Sequence, residues 1–382
     1  MVATLKLKVA GGRNILLVGD LKLSVLSGKI EIFGGVYGPG EEVFIDKYMS
    51  APMESIVDTD LEIDFGDEGY ISEVNFDLIP QEWRDATDDI ISLPKGSKVL
   101  VCADVDAGKS GFICYVVNKG VSLGRKIAVV GADTGQSEMN PPTTIGVALA
   151  SSKIIHLSQL EYRDAFFVGS TSPAGLLDRS LVGVIRMVDR AIEYGADLVV
   201  INTTGWVHGA GGRELKEAKL VSVRPQMLVV LEKKPNELSY ISTLAEKLGI
   251  MCRVIPAAPK LRARTREERR ILRKRYYMEE FSGAEEVKIS VDEVAFLYSY
   301  FGTGSPLEAS GLMKIISILG FTPEYVEDTP DHLIMVTERR IAQEKVDEIS
   351  RSLGKAVRIY DPRTFENLIA VSYTHLRANE TE

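Results

Sequence analysis

Short apolar runs recur between residues 98 and 255 and alternate with longer segments of helical periodicity. The clearest helical segment is Leu176–Tyr194, where apolar residues return every three or four positions until Gly195. Near-continuous apolar strands joined by helices predict an α/β fold, with a parallel sheet covered by helices on both faces. The predicted sheet strands are Val99–Cys102, Ile127–Val130, Phe166–Val168, Leu198–Ile201, Met227–Leu231 and Met251–Ile255. Ligands of such sheets bind outside the carboxyl ends of the strands.

The regions on either side of this central part, 95–282, have different patterns. Residues 1–94 hold short strand-like segments, such as Asn14–Val18 and Lys29–Phe33, between glycine-rich turns, which predicts a small N-terminal β-domain. Residues 283–370 alternate strands and helices and predict a smaller α+β C-terminal domain. The strands and helices predicted there are 287–289, 333–336, 305–318 and 338–353.

Residues 371–382 do not continue the C-terminal pattern. They resemble translated sequencing-adapter sequence, so we predict a non-native tail behind a truncated C-terminal domain.

Composition excludes several classes of protein. No run approaches the roughly 20 apolar residues of a membrane span, and the N-terminus lacks a signal-peptide pattern, so we expect a cytoplasmic protein with no membrane partner. Cys102, Cys114 and Cys252 lack metal-type spacing, and the four histidines are spread along the chain, which disfavours a His/Cys zinc centre. The net charge of −9 argues against bulk attraction to nucleic acid, although a local basic patch could still bind it.

The first predicted sheet strand runs into a phosphate-binding loop. Residues 103–110 read A-D-V-D-A-G-K-S, which departs from the P-loop pattern G-x-x-x-x-G-K-[ST] only at Ala103. Backbone N–H groups at a helix N-terminus attract phosphate oxygens. Lys109 would then reach the β- and γ-phosphates, and Ser110 would bind Mg²⁺. The predicted nucleotide-binding residues are Ala103, Asp104, Val105, Asp106, Ala107, Gly108, Lys109, Ser110 and Gly111.

Two further strands end in polar residues. Asp133 follows Ile127–Val130 and could accept a proton from an attacking hydroxyl or hold Mg²⁺ through water, and Gln136 could position a nucleophile or a phosphate. The alternative is a turn in which Asp133 caps a helix. Asn202 ends Leu198–Ile201 where a Walker B strand typically carries aspartate, so metal binding would rest mostly on Asp133.

Two loops are candidate substrate contacts. Trp206 lies in a glycine-rich loop beyond Asn202, where it could stack on a nucleic-acid base or belong to the core. Thr171 and Ser172 follow Phe166–Val168 at an expected helix start, which suits anion or ribose contacts, with simple capping as the alternative.

The segment 260–275 is strongly basic. It holds nine Lys and Arg residues against Glu267 and Glu268. A solvated basic helix is one interpretation, but directly after the last sheet strand of a P-loop domain we favour an arginine-bearing lid over phosphates, at about 258–280.

Together these motifs resemble the polynucleotide 5′-hydroxyl kinase family, which includes RNA kinases of mRNA 3′-end and ribosomal RNA processing and archaeal homologues. The motifs that carry the resemblance are Asp133–Gln136, Pro141–Thr144, Gly169–Pro173, Asn202–Val207 and the Arg262–Arg273 segment. The resemblance covers about residues 90–280.

The resemblance implies transfer of the ATP γ-phosphate to the 5′-hydroxyl of RNA or DNA, with Mg²⁺ as cofactor and RNA-processing proteins as candidate partners. Lys109 and Ser110 would match the P-loop lysine and the Mg²⁺ ligand, and Asp133 the general base, with Gln136 close by. Trp206 would match the base-stacking aromatic residue. The lid arginines would be Arg262, Arg266 and Arg269.

One alternative function is an ATP-binding scaffold of an RNA-processing complex with little kinase turnover. It is suggested by Ala103 and Asn202, because a positive φ at Ala103 would cost roughly 1–2 kcal/mol. A dimeric switch ATPase with a deviant P-loop is disfavoured because it would carry lysine where this chain has Asp104.

Overall fold

The computed structural model describes residues 3–259, 265–285 and 302–362. The chain divides into two compact units, Met1–Ser282 and Gly283–Glu382. A separate N-terminal domain at 1–94 therefore stays a prediction. Arg262, the strand at 287–289 and the tail at 371–382 lie outside the described residues.

The N-terminal part of the first unit consists of short antiparallel strands in two sheets. Their orders are β1-β8-β3-β6 and β5-β4-β7-β2-β9, numbered along the chain. The strands are β1 Ala3–Val9, β2 Asn14–Val18, β3 Leu21–Ser27, β4 Ile30–Ile32, β5 Gly35–Tyr37, β6 Glu42–Ile45, β7 Ser50–Ser55, β8 Thr59–Phe65 and β9 Tyr70–Val74. Alternating buried and half-buried positions, as in β8, place one face of these strands in a shared apolar core.

The rest of the first unit forms a seven-stranded sheet of order β13-β12-β11-β14-β10-β15-β16. Its strands are β10 Ser97–Ala103, β11 Ile127–Ala132, β12 Thr144–Ala150, β13 Tyr162–Phe167, β14 Leu198–Thr203, β15 Met227–Glu232 and β16 Met251–Pro256. The helices are α1 Gln81–Ser92, α2 Lys109–Ser122, α3 Leu177–Glu193, α4 Gly209–Val223, α5 Ser239–Lys247 and α6 Arg266–Glu280, with a short 3₁₀ turn at Leu157–Gln159.

The predicted α/β fold is confirmed, with one strand that the apolar pattern did not indicate. Strand β12 runs antiparallel to both β11 and β13. Two reversals restore the direction of β13, so its carboxyl end lies at the same edge as those of β10, β11 and β14. The loops after these strands therefore meet at that edge, as expected from the sequence.

Helices cover both faces of the sheet, which explains why its central strands β10, β11, β14 and β15 are almost wholly buried. In β10, Val99 and Val101 join the core that contains α2, whereas Leu100 and Cys102 join the core that contains α3 and α4.

Buried polar contacts fix the β-rich part on the P-loop part. Asn118 of α2 donates its amide to Phe33 O at 2.8 Å and Ile154 O at 2.7 Å, and its Oδ1 accepts from Ile154 N at 2.7 Å. Trp83 of α1 donates its indole N–H to Pro256 O at 2.8 Å. The Asn118 bonds hold the segment around Phe33 against α2, where the Phe33 ring lies beside Gly111 of the first turn. The Trp83 bond fixes α1 on the end of β16.

Within its described residues, 283–285 and 302–362, the second unit has a four-stranded sheet of order β17-β18-β19-β20 and two helices. The elements are β17 Ser305–Pro306, α7 Ala309–Leu319, β18 Tyr325–Asp328, β19 His332–Val336, α8 Gln343–Leu353 and β20 Ala356–Tyr360. The predicted helices began too early: 305–306 form a strand, and the second helix starts at Gln343 rather than at 338. Across the described ranges, no helix combines the length and apolar character needed to span a membrane.

Candidate functional site

The loop between β10 and α2 has the backbone of a phosphate-binding loop. Gly108 caps α2 with φ of 95°, a conformation that favours glycine, and Asp106 also has positive φ. Lys109 and Ser110 follow as the first two residues of α2. The first turn of the helix therefore directs its unpaired N–H groups toward the loop, as anion binding requires.

Lys109 is buried among backbone acceptors. Its amino group donates to Ala103 O at 3.3 Å and to Asp104 O at 3.1 Å. Burial lowers the pKa of Lys109, while the nearby Asp133 carboxylate opposes that shift. A phosphate beside this amino group would supply the anionic partner that the backbone carbonyls do not.

The backbone at Ala103 is free of the strain that a positive φ would cause at this departure from the P-loop pattern. It is the last residue of β10, is fully buried, and is not among the residues of positive φ. Its Cβ therefore incurs no left-handed penalty, and the loop begins to turn only after it.

Asn202 lies at the end of β14, and its Oδ1 atom is buried without a hydrogen-bond partner among the described residues. An unsatisfied buried amide oxygen is costly and is suited to a water molecule or a cation ligand. Gly205, three residues further on, packs so closely on the P-loop that an added Cβ would lie 2.6 Å from Val105 Cγ2.

The Asp133 carboxylate organises its own loop. Its Oδ1 accepts N–H groups from Gly135 at 3.1 Å and Gln136 at 3.0 Å. The turn that the sequence allowed as the alternative is present, but Asp133 caps no helix there, because β11 is followed by a loop and then by β12. The two bonds fix the carboxylate in one orientation. They are compatible with catalysis because both N–H groups bond to the same oxygen.

Two cavities lie at this edge of the sheet. The first, the P-loop cavity, is lined by Phe33, Tyr48, Met49, Ser50, Val105–Gly111, Cys114, Asp133, Gln136, Glu138, Ile155, His156, Asn202 and Gly205. The second, the lid groove, is lined by Asp104, Val105, Asp133, Gly135, Gln136, Thr171–Ala174, Thr204–His208, Arg266, Glu267, Arg269, Arg270 and Arg273.

The two cavities share only four lining residues, among them Asp133 and Gln136. The P-loop residues from Asp106 to Ser110 belong to the first cavity alone, and Trp206 belongs to the lid groove alone. A phosphate donor in the first cavity and an acceptor in the second would therefore meet at Asp133.

Helix α6 covers the lid groove and contacts two loops, the P-loop and the loop after β11. Arg269 forms an ion pair with Asp106 of the P-loop at 2.8 Å, and Arg273 donates to Gly135 O at 3.3 Å. Thr265 caps the helix through a capping box with Glu268. The described part of the basic segment thus lies over the groove, and Arg266 and Arg269 line it; their role as lid arginines stays a prediction.

Thr171 and Ser172 line the lid groove, but not for the predicted reason. Helix α3 starts only at Leu177, so no helix N-terminus lies at Ser172. The Ser170 and Ser172 hydroxyls instead accept N–H groups within the loop, from Ser172 and Ala174. Trp206 is half-buried and lines the same groove, so part of it is open to the groove.

Two lysines of α4 are fully buried beneath the site. Lys216 donates to Thr203 Oγ1 at 2.8 Å and to Thr204 O, and Thr203 Oγ1 donates to Val101 O at 2.8 Å. Burial lowers the pKa of Lys216, and it lowers that of Lys219 to about 8. Through these bonds Lys216 supports the loop that leads to Trp206. Lys219 lies one helical turn further along α4.

We expect Lys219→Met to stabilise the protein near neutral pH. Below about pH 8 both the folded and the unfolded state hold the Lys219 proton, so the folded state bears a buried charge. Between about pH 8 and 10.5 the folded state releases the proton first, and the cost disappears. The variant should therefore gain up to about 3 kcal/mol at pH 7 and progressively less above pH 8. Thermal melts of both proteins at pH 7 and at about pH 9.5 test this; an equal gain in Tm at both pH values would contradict it.

Sequence reasoning missed the residues that the β-rich part and the loop after β11 contribute. Phe33 and Tyr48 line the P-loop cavity, although no motif marks them. Glu138 and His156 lie there too, with Oε1 and Nε2 3.3 Å apart. Glu138 follows Asp133 by five residues in the sequence, and this proximity is the one feature from which its place in the cavity could have been predicted.

Asp104, His208 and Glu237 are a further group, within the described part of the chain, whose ligand atoms lie within 4.8 Å of one another. Lys233 already neutralises Asp104 at 3.3 Å, and Glu237 accepts from Lys233 N at 3.1 Å. We therefore assign no metal there.

Comparison with known proteins agrees with this geometry. Residues 103–283 match the family model described as mRNA cleavage and polyadenylation factor CLP1 P-loop. A polyribonucleotide 5′-hydroxyl-kinase of Pyrococcus furiosus is 37% identical over 229 residues, which is 60% of this chain and 63% of the relative. One from Thermococcus kodakarensis is 34% identical over 231 residues, 60% of this chain and 64% of the relative. The chain thus spans less than two thirds of the length of these relatives.

Among solved structures, the fold is similar to that in a wild-type Clp1p–Pcf11p complex. The TM-score is 0.60 with 15% identity, over 75% of each chain. This likeness confirms the P-loop α/β fold, and the family match indicates nucleotide binding.

Proposed function

We propose that this chain, whose residues 103–283 match the CLP1 P-loop family model, is a member of the polynucleotide 5′-hydroxyl kinase family and transfers the γ-phosphate of ATP to the 5′-hydroxyl of RNA. The observation that carries the proposal is the position of Asp133, which lines both the P-loop cavity and the lid groove. A general base for phosphoryl transfer has to contact the acceptor hydroxyl while the donor lies in line beyond it.

In the proposed reaction the 5′ oxygen attacks the γ-phosphorus and its proton passes to the Asp133 carboxylate. The bond between the γ-phosphorus and the β–γ bridging oxygen breaks, and ADP leaves. Lys109 neutralises charge on the β- and γ-phosphates, and Arg266 and Arg269 of the lid do so from the other side.

Mg²⁺ would be held by Ser110 and, through water, by Asp133. Ser110 lines the P-loop cavity together with Asp133 and Asn202, and the orphaned Asn202 Oδ1 adds an oxygen that such a cation or its water could use. When bound, the ion would help to neutralise the charge that develops on the transferred phosphate and on the leaving ADP.

RNA is favoured over DNA as acceptor because the relatives in the comparison are named polyribonucleotide kinases. RNA-processing proteins as partners, and a cytoplasmic location, stay predictions. The alternative function, an ATP-binding scaffold, differs from the kinase in one observable: it binds ATP without phosphorylating an oligonucleotide.

Trp206→Ala tests whether the lid groove binds the acceptor. Stacking of one base on an aromatic ring is worth about 1–3 kcal/mol, so we expect KM for a 5′-hydroxyl oligonucleotide to rise about tenfold or more. KM for ATP should stay unchanged, because Trp206 lines only the lid groove.

Trp206→Phe is the matched control, since it keeps an aromatic face and should recover most of the affinity. An equal rise of both KM values in Trp206→Ala, or no rise for the oligonucleotide, would contradict base stacking at this position.

A further inference from the structure

The lid helix presents a second surface, which continues beyond the two arginines, Arg266 and Arg269, that are assigned to the transfer reaction. On α6, positions four apart share a face, and the exposed residues along one such row are Arg266, Arg270, Lys274 and Met278. A neighbouring row holds Arg269, Arg273, Tyr277 and Phe281. Cations thus occupy the first three positions of one row and the first two of the other, and apolar or aromatic side chains follow them.

A shallow cavity joins the two rows beyond the lid groove. It is lined by Arg270, Arg273, Lys274, Tyr277, Met278 and Phe281. Arg270 and Arg273 line the lid groove as well, so the surface is continuous with it.

The two aromatic rings at the end of this surface are nearly parallel, as in a stacked pair. The Tyr277 and Phe281 rings lie 6.4 Å apart between centroids, with an angle of 14° between their planes. Tyr277 is anchored by its hydroxyl, which donates to Pro142 O at 3.2 Å. The Phe281 side chain is 52% exposed and Met278 65%, although both are apolar.

We propose that this lid surface binds the nucleotides that follow the 5′-terminal one, so that the preferred acceptor is a single strand longer than a dinucleotide. The proposal rests on the kinase function proposed above. Grooves that bind single-stranded nucleic acid combine cations along the phosphates with aromatic rings on which bases stack. This surface has both: the cations lie next to the lid groove, and the aromatic rings lie further from it. Charge favours the same occupant, since the surface is basic in a protein of net charge −9.

The test compares a 5′-hydroxyl RNA dinucleotide with an oligomer of about eight nucleotides, a length typical of single-strand sites. The variant is Lys274→Ala/Phe281→Ala, because neither residue lines the lid groove. The control is Lys234→Ala/Leu248→Ala, which removes one exposed cation and one exposed apolar side chain from elsewhere in the same unit.

In the wild type and the control, we expect KM to be about tenfold lower for the oligomer than for the dinucleotide. In the variant most of this advantage disappears, while kcat/KM for the dinucleotide is kept. The slope of log K against log salt for oligomer binding should also become shallower by about 0.7, the value for one lost phosphate contact with a single strand.

Oligomer binding is measured by fluorescence anisotropy as well as by transfer, so failure of the kinase function is seen separately as binding without transfer. An unchanged length dependence in the variant, or an equal loss for both acceptors, would overturn the proposal. Unchanged RNA binding would assign this exposed face to a protein partner instead.

Discussion

Asp133→Asn should lower the rate of phosphate transfer by about 10²–10⁴-fold, the usual contribution of a general base, while ATP binding is kept. Asparagine retains an oxygen that can accept the Gly135 and Gln136 N–H groups, so the loop geometry should survive. It cannot take a proton from the attacking hydroxyl. The measurement is kcat for transfer from labelled ATP, with ATP affinity measured separately by titration.

Glu138→Gln is the informative comparison, because Glu138 is a second carboxylate in the P-loop cavity that does not line the lid groove. We expect it to reduce kcat much less than Asp133→Asn. The opposite order, with transfer lost in Glu138→Gln and kept within a few-fold in Asp133→Asn, would show that the base has been assigned to the wrong residue.

Lys109→Ala should have the second large effect, with transfer reduced by about 10²–10³-fold or more and ATP bound more weakly. The amino group is buried beside the P-loop, where it would neutralise the transferring phosphate. Because burial lowers the pKa of Lys109, removing the side chain relieves a desolvation cost in the unliganded protein. Tm without ATP should therefore not fall.

Lys219→Met is the matched control for Lys109→Ala, since it also removes a buried lysine but lies outside both cavities. It should leave ATP binding and transfer intact. Normal transfer by Lys109→Ala, or a loss of ATP binding in both variants, would contradict the role given to Lys109.

Local patterns in the sequence predicted the elements that have a strong period of their own. Strand Asn14–Val18 and helix α3 agree with the structure because a short apolar run in one and three-to-four spacing in the other end at glycines. The sequence did not predict strand β12 because residues typical of loops lie before and within it. Pro141 and Pro142 precede the strand, and Gly146 lies inside it.

The candidate site required tertiary information in two respects. The ion pair of Asp106 with Arg269 joins residues 163 positions apart, so no local pattern could place the lid on the P-loop. Phe33 reaches the P-loop cavity because Asn118 of α2 bonds to its backbone carbonyl, a contact between two regions that the sequence treated as separate. The departure at Ala103 also needed the backbone angles, which show that it belongs to the strand.

The most direct measurement is transfer of labelled γ-phosphate from ATP to a 5′-hydroxyl RNA oligomer by the purified chain with Mg²⁺, alongside the effect of ATP on Tm. The kinase account predicts label on the 5′ end of the RNA, at a rate that Asp133→Asn lowers by about 10²–10⁴-fold, and a rise in Tm with ATP. A rise in Tm with ATP but no label on RNA or on a DNA oligomer would contradict it and establish the scaffold function instead.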